Sequence, residues 1–187
     1  KKFFNSNNKN IKLFNLGRLT DQKDQITILK AVNLIKSKVK FNLIIMGQGD
    51  KKKDLENFIE KNNLNKNVKI LNFEDNPFPI FKESDVFILS SKFEGLPNVL
   101  LEAGYLKRYI ITTNCPTGPS EILKNKTHGA FFKIGNFYQL SQKIRFYYDN
   151  KEEIKKKIKK KNFDLNEFNY KKNLNTYKKA IAKVINK

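Results

Sequence analysis

The chain has 187 residues, of which 39% are hydrophobic and 30% are charged, a balance typical of a folded domain and not of a disordered chain. No apolar run approaches the ~20 residues of a membrane-spanning helix, and a single cysteine excludes an internal disulfide framework and suits the cytoplasm. The formal net charge of +20 indicates either an anionic partner (nucleic acid, an acidic membrane face or a phosphorylated ligand) or a solvated lysine-rich surface.

Short apolar segments alternate with amphipathic ones from Asn10 onwards. The apolar segments predict six strands, at 10–17, 41–47, 68–73, 85–90, 109–114 and 129–135. The amphipathic segments predict helices at 21–38, 51–63, 77–84, from about 97, 120–123, 136–148, 150–161 and 166–185.

The predicted strands are continuous apolar runs and not alternating ones, which indicates burial on both faces. Separated by helices, such strands form right-handed βαβ units and a parallel sheet. We therefore expect an α/β fold, a Rossmann-like parallel sheet of about six strands with helices on both faces and a helical C-terminal tail. Ligands of such sheets bind beyond the carboxyl ends of the strands.

The segment GRLTDQKD after the first strand places Gly17, Arg18 and Lys23 before a helix. An arginine and a lysine at such a junction suit a phosphate, since the free amides of a helix start also attract anions. In a lysine-rich chain, two solvated surface cations are an equally good interpretation of this segment alone.

The segment MGQGD after the second strand contains Gly47 and Gly49. A dinucleotide fingerprint would need a third glycine where the chain has Lys52. The two glycines let the backbone pass close to a ligand or simply form a turn, and the turn is somewhat favoured.

The segment SSKFEGLPNVLLEA after the fourth strand contains two glutamates around a helix start, Glu94 in the loop and Glu102 one turn into the helix. Pro97 is well placed as the first helical residue, because its missing N–H would be unpaired there. The amides around Gly95 to Val99 would point into the cleft, and Asn98 shares a helix side with Glu102. A carboxylate accepts hydrogen bonds from a vicinal diol such as a ribose. Both glutamates could instead simply favour the helix dipole.

The segment NCPTGPSEI after the fifth strand holds Gly118 in a rigid loop, and a short helix follows. We expect Ser120 to cap this helix and Glu121 to lie in its first turn, so that both have a structural role. Phe73, at the end of the third strand, and Gly118 and Glu121 are possible further loop contacts to a ligand.

Taken in order, GRLTDQK, MGQGD, SKFEGLPNVLLEA and NCPTGPSEIL resemble the nucleotide-sugar-binding half of GT-B glycosyltransferases of family 4, also called group 1. The resemblance covers nearly the whole chain from about Ile11. Its most specific element is the E-x7-E motif, matched by Glu94 and Glu102 with the sequence EGLP between them.

The resemblance implies a role for each matched residue. Arg18 and Lys23 would neutralise the leaving diphosphate, Glu102 would hold the ribose hydroxyls, and Glu94 would face the donor sugar without acting as a nucleophile. The catalytic residues are thus Glu94, Arg18 and Lys23. The implied donor-binding residues are Gly17, Arg18, Lys23, Gly47, Gly49, Glu94, Gly95, Leu96, Pro97, Asn98, Val99 and Glu102. The sequence has no D-x-D, so no metal and no cofactor are expected.

The resemblance also implies what the chain works with. Residues 1–187 would be the C-terminal donor-binding domain of a longer retaining glycosyltransferase, inactive alone, and helices within 150–187 would pack toward the missing N-terminal domain. The donor would be a UDP-sugar, a UDP-N-acetylhexosamine such as UDP-GalNAc. The acceptor would be an undecaprenyl-diphosphate-linked sugar of O-antigen, lipopolysaccharide or capsule synthesis. Nearest in sequence character are bacterial α-1,3-N-acetylgalactosaminyltransferases, peripheral on an anionic membrane surface at the cytoplasmic face of the inner membrane.

Two other interpretations stay open. The chain could be a domain of a GT-B-type UDP-sugar epimerase, against which E-x7-E and GRLTDQK argue. It could also be a basic non-enzymatic module for nucleic acid or membrane. No nucleic-acid partner is expected, because most of the 16 phenylalanines fall on strands and inward helix faces and not in a stacking cluster. One segment departs from the pattern of the family that the chain resembles. Before the fifth strand that family usually has small residues and Gly-Pro, whereas this chain has GYLKRYII, with Lys107 and Arg108.

Overall fold

A computed structural model of the protein describes residues 3–4, 10–124 and 127–185. Six strands form one sheet: β1 Ile11–Leu16, β2 Phe41–Met46, β3 Val68–Leu71, β4 Val86–Leu89, β5 Tyr109–Thr113 and β6 Gly129–Phe132. Their order is β3-β2-β1-β4-β5-β6, and every neighbouring pair is parallel. This confirms the predicted Rossmann-like sheet, with β6 at one edge.

The helices connect successive strands and then form the C-terminal end. They are α1 Gln25–Ile35, α2 Lys52–Lys61, α3 Phe78–Glu83, α4 Asn98–Tyr105, α5 Pro119–Ile122, α6 Phe137–Asp149, α7 Lys151–Lys160 and α8 Tyr170–Ile185. A short 3-10 turn, Asn166–Phe168, precedes α8.

The sheet is buried on both faces, which is why its strands are continuous apolar runs. Every residue of β2, β4 and β5 is buried. One apolar cluster combines side chains of the sheet with α1, α2, α6 and α7, and a second combines the opposite face with α3, α4 and α5. Burial on both sides gives the strands little freedom to slip, because a shift of one residue would exchange the two faces.

The strand order places a crevice beside β1. From β1 the chain moves outward through β2 to β3, and it then returns to β4 on the other side of β1. The loops after β1 and β4 therefore diverge at the carboxyl end of the sheet, where a doubly wound fold binds its ligand.

The first helix is shorter than predicted. It begins at Gln25 and not at Asp21, because Asp24 adopts a left-handed conformation with φ 49°. The hydroxyl of Thr27 donates to the carboxylate of Asp24 at 2.7 Å, which stabilises the turn that starts the helix. Residues 17–24 are consequently loop, and three of them, Gly17, Arg18 and Lys23, line a cleft described below.

Two other helix starts differ from the prediction. Pro97 is extended, with φ −76° and ψ 96°, and precedes α4 as its N-cap, so its prediction as the first helical residue was wrong. The predicted cap Ser120 was also wrong, since α5 has Gly118 as its N-cap and Pro119 as its first residue. The carboxylate of Glu121 accepts from the amide of Gly118 at 3.1 Å, so the predicted structural role of Glu121 is confirmed.

The C-terminal end is helical, as predicted, but it is interrupted. Helix α7 buries Ile154 and Ile158 against the core, whereas α8 leaves Tyr170, Tyr177 and Ile181 exposed. None of the described helices is both long enough and apolar enough to cross a membrane. That residues within 150–187 pack toward another domain stays a prediction, and residues 186–187 lie outside the described part of the chain.

Candidate functional site

A cleft of about 600 Å³ opens at the carboxyl end of the sheet, between the loops that follow β1 to β4. It is lined by Leu16, Gly17, Arg18, Lys23, Gly47, Gln48, Phe73, Asp75, Pro77, Phe78, Glu94, Leu96, Pro97, Asn98, Val99 and Glu102. The sequence predicted eleven of these as site residues or loop contacts, and the fold brings those eleven together.

The floor of the cleft is formed by close contact between the loops after β1 and β2. A Cβ atom on Gly47 would lie 2.0 Å from the carbonyl oxygen of Gly17, and one on Gly49 would lie 2.3 Å from that of Leu19. The Leu19 amide donates to the Gln48 carbonyl at 2.9 Å and locks the contact. Gly49 itself does not line the cleft; it permits the close approach of the two loops.

The centre of the cleft holds an ion pair between Lys23 and Glu94. The Lys23 ammonium lies 2.6 Å from Glu94 Oε1, and the two side chains are only 18% and 8% exposed. The hydroxyl of Ser91 donates to the same carboxylate oxygen at 2.6 Å, and the hydroxyl of Thr117 donates to the Glu94 backbone carbonyl. The carboxylate is therefore fixed in position before any ligand arrives.

Helix α4 starts at the rim of the cleft. Its first backbone bond runs from the Leu100 amide to the Pro97 carbonyl at 2.9 Å, so the amides of Asn98 and Val99 precede the helical ladder. Glu102 lies one turn further along and is partly buried. Burial raises the pKa of its carboxyl above the usual range, because the charged form loses hydration. Hydroxyl donors from a ligand would restore hydrogen bonds to this carboxylate.

Arg18 is the exposed cation of the cleft. Within the described part of the chain it takes part in no ion pair, whereas Lys23 is bound by Glu94. The side-chain amide of Gln25 donates from Nε2 to the Arg18 carbonyl at 2.9 Å and holds the backbone. The Arg18 guanidinium itself stays available to an anion.

Besides Gly49, three predicted residues do not line the cleft: Gly95, Gly118 and Glu121. Gly95 leaves open space where a Cβ would be, while Gly118 has φ +83° and a Cβ there would lie 1.9 Å from the Gly95 carbonyl oxygen. Glu121 binds the Gly118 amide. Gly118 and Glu121 therefore shape the loop that precedes α4 and do not face the cleft.

Several cleft residues were missed by the sequence interpretation. Gln48, Asp75, Pro77 and Phe78 line it, and Ser91 orients Glu94. Phe78 is 42% exposed, an unusual position for a large aromatic residue, but a single aromatic in a proline-rich turn gives no signal in the sequence. Ser91 and Thr117 act through contacts made only by the folded chain.

A resident metal has no evident set of protein ligands. Among the residues that the structure describes, no three His, Cys, Asp or Glu side chains are grouped so that they could hold an ion. The expectation that the reaction needs no metal and no cofactor stays a prediction.

The family described as "Glycosyl transferases group 1" matches residues 1–164 of the chain. A glycosyltransferase of Methanocaldococcus jannaschii is 44% identical over 110 residues, which are 58% of this chain and 27% of that protein. The N-acetylgalactosamine-N,N'-diacetylbacillosaminyl-diphospho-undecaprenol 4-alpha-N-acetylgalactosaminyltransferase of Campylobacter jejuni is 27% identical over 154 residues, which are 78% of this chain and 42% of that protein. The chain spans less than half the length of both relatives.

Solved structures show the same fold. A glycosyltransferase from Rickettsia africae has a TM-score of 0.75 at 21% identity, over 92% of this chain and 48% of that one. The pneumococcal O-GlcNAc transferase GtfA, in complex with UDP and GlcNAc, has a TM-score of 0.75 at 18% identity, over 96% and 37%. The predicted relation to one half of a GT-B fold is confirmed. With its fold and most of its length matched, the chain belongs to the group 1 glycosyl transferases.

Proposed function

We propose that this chain is the donor-binding domain of a retaining glycosyltransferase and that its cleft holds a UDP-sugar. The observation that carries the proposal is the convergence of Arg18, Lys23, Glu94 and Glu102 on one cleft at the carboxyl ends of the strands. The phosphates of such a donor would be bound by the cations and the helix N-terminus. Its ribose and sugar hydroxyls would donate to the two carboxylates.

The diphosphate would lie between Arg18 and the start of α4. Arg18 is exposed and carries no competing ion pair in the described part of the chain, so it would bind phosphate oxygens in bidentate fashion. The amides of Asn98 and Val99 would donate from the opposite side. As the bond from the sugar to the diphosphate breaks, negative charge grows on the leaving oxygen, and these groups would stabilise it.

Glu102 would accept hydrogen bonds from both ribose hydroxyls, which would restore the solvation that its burial removes. Glu94 would face the donor sugar, held in place by Lys23 and Ser91. Bound in this way, its carboxylate would position sugar hydroxyls and would not attack the anomeric carbon. The exposed ring of Phe73 or Phe78 would offer a flat apolar surface to the uracil.

A UDP-N-acetylhexosamine such as UDP-GalNAc is the donor we propose, with an undecaprenyl-diphosphate-linked sugar as the acceptor. The Campylobacter relative, named as an N-acetylgalactosaminyltransferase acting on a diphospho-undecaprenol, supports both. The acceptor would be bound mainly by a domain outside this chain. We therefore expect the chain alone to bind donor and to transfer no sugar, and the whole enzyme to work at the cytoplasmic membrane face.

Calorimetric titration with UDP, UDP-GalNAc, UDP-GlcNAc, GDP and NAD tests the proposal. Saturable binding of the uridine ligands, lost in Arg18→Ala and in Glu102→Ala, is the expected result. Arg145→Ala is the matched control, because it removes an exposed arginine whose partner, Asp149, lies on the same helix. Binding that both cleft variants leave unchanged, or binding of NAD alone, would contradict the proposal.

The epimerase alternative also predicts UDP binding, so it needs a second measurement. Incubation of the full-length enzyme with UDP-GlcNAc and no acceptor would produce an epimerised sugar nucleotide only under that alternative. Under our proposal, the sugar nucleotide would stay unchanged until a lipid-linked acceptor is added.

A further inference from the structure

A second cavity of about 580 Å³ lies at the amino ends of the strands, at the opposite end of the sheet from the donor cleft. Asp85 and Tyr109, which line it, stand at the amino ends of β4 and β5. The remaining walls come from α3, the end of α4 and the turn that follows it, α6 and α7. We call it the amino-end cavity. It is lined by Lys82, Asp85, Tyr105, Leu106, Lys107, Arg108, Tyr109, Tyr147, Lys155, Ile158 and Lys159.

The amino-end cavity is strongly cationic. Its one carboxylate, that of Asp85, is already bound by Lys155 at 2.6 Å and by Lys151 at 3.6 Å. Within the described part of the chain, no ion pair involves the three other lysines that line the cavity: Lys82, Lys107 and Lys159. Three separate elements, α3, the turn after α4 and α7, thus each contribute a lysine without an ion-pair partner among the described residues to the lining of one cavity.

Arg108 adds a further positive charge that is only partly compensated. Its guanidinium donates to backbone carbonyls, from Nε to Leu106 at 2.7 Å and from Nη1 to Ser84 at 2.7 Å. Burial lowers the pKa of this arginine, and the nearby Asp85 carboxylate only partly opposes that effect. An anion in the cavity would favour its charged form.

Lys107 occupies a backbone conformation that a lysine adopts at a cost. Its φ is +56°, in the left-handed region that glycine adopts freely and that other residues adopt at a cost in free energy. The backbone conformation at this position therefore does not favour a lysine. Its side chain adds a cation to the lining of the cavity.

We propose that the amino-end cavity binds a phosphate-bearing anion. A phosphate group offers several acceptor oxygens to ammonium groups that approach from different elements, and lysine is a suitable partner for it as a point charge. Two sources share this chemistry, the headgroup of an anionic phospholipid and a soluble polyphosphate. The site is separate from the donor cleft, and its occupancy does not depend on the function proposed there.

Residue-resolved amide shifts of the whole chain provide the test, because pyrophosphate would also enter the donor cleft. Pyrophosphate is added in one arm, and vesicles of phosphatidylglycerol are compared with vesicles of phosphatidylcholine in another. Signals of Lys82, Lys107 and Lys155 report the amino-end cavity, while those of Gly17 and Val99 report the cleft.

The diagnostic variant is Lys107→Gly with Lys159→Gln. Glycine suits the backbone at position 107, so the fold should be kept, and unchanged far-ultraviolet circular dichroism checks this. Lys53→Gln with Lys133→Gln removes the same charge from exposed lysines near the carboxyl ends of β2 and β6, and it is the matched control.

Saturable shifts at the amino-end cavity, weakened about tenfold in the diagnostic variant and unchanged in the control, support the proposal. The arm that produces them identifies the source of the phosphate. The proposal is overturned if neither pyrophosphate nor phosphatidylglycerol shifts these signals, or if both double variants weaken binding equally, since diffuse charge alone would then explain the attraction.

Discussion

At the scale of single residues, the ion pair between Lys23 and Glu94 organises the cleft at the carboxyl end of the sheet. Their ion pair lies at 2.6 Å with both side chains mostly buried, and Ser91 completes the shell of the carboxylate. A pair of this kind costs desolvation to form, but losing one partner costs more, because the other charge stays behind without compensation.

Removing one partner of this pair should therefore destabilise the fold. We expect Lys23→Met to lower the free energy of unfolding by about 1–3 kcal/mol, since the Glu94 carboxylate keeps only the Ser91 hydroxyl. Glu94→Gln in the same chain should recover part of that loss, because it removes the orphaned charge. Urea unfolding of the two single variants and the double variant measures the coupling.

Lys157→Met is the control for this cycle. It breaks an ion pair of similar length with Glu153, but both side chains are more than half exposed, so we expect almost no change in stability. Equal losses in Lys23→Met and Lys157→Met would contradict the role given to burial.

Glu102 should make donor binding depend on pH. Burial raises the pKa of its carboxyl, so the acceptor form of this side chain is lost at a higher pH than for an ordinary glutamate. Affinity for UDP-GlcNAc should fall as the pH is lowered through this titration, and Glu102→Gln should bind weakly with a flatter profile. The sugar nucleotide is preferred to UDP, whose terminal phosphate would itself titrate near pH ~6.

Without a ligand, the Glu102 carboxyl should make the stability of the fold depend on pH in the opposite direction. Because its pKa is raised, folding favours the protonated form, and its contribution to stability declines as the pH rises through its titration. Glu102→Gln should thus melt slightly above the unsubstituted chain at neutral pH while binding donor less well. A lower melting temperature of the variant would contradict this assignment.

At the scale of elements, the cleft depends on loops that approach each other at their backbones. Gly47 has the Gly17 carbonyl oxygen where its Cβ would be, at 2.0 Å, whereas Gly95 has open space. Gly47→Ala should therefore destabilise the fold by about 2 kcal/mol or more, through a clash that rigid backbone cannot relieve. Gly95→Ala should leave the fold unchanged, and thermal melts of the two variants compare a supporting position with an open one.

The bounds of the first five strands were predictable from the sequence to within two residues, because burial makes continuous apolar runs, whereas β6 ends at Phe132, three residues before its predicted end. Helix starts were less predictable. Asp24 begins α1 from a left-handed conformation supported by Thr27, and Gly118 begins α5 with Glu121 on its amide. These starts depend on side-chain bonds and backbone angles that apolar periodicity does not encode.

Some of the cleft residues were likewise predictable from the sequence, and others were not. Arg18, Lys23, Glu94 and Glu102 were found because they follow strand ends and match a motif. Gly118 and Glu121 were considered as ligand contacts, but they hold the loop before α4. Ser91 was missed because its role exists only through its contact with Glu94, which the fold creates.

At the scale of the whole molecule, the net charge of +20 acts on stability as well as on partners. The 38 lysines and arginines outnumber the 18 acidic residues, so the folded chain repels itself. Salt screens such repulsion, with a Debye length of about 10 Å at 0.1 M and about 3 Å at 1 M.

Raising NaCl from about 20 mM to about 0.5 M should therefore raise the melting temperature of the chain. Salt also weakens ion pairs, but most of those in the described part of the chain are exposed and contribute little, so relief of repulsion should dominate. Lys156→Gln with Lys160→Gln lowers the charge at exposed positions of α7 and should melt higher in low salt, with a smaller response to NaCl. Scanning calorimetry measures both effects. A melting temperature that falls with NaCl in both chains would mean that attractive pairs outweigh the repulsion among the lysines.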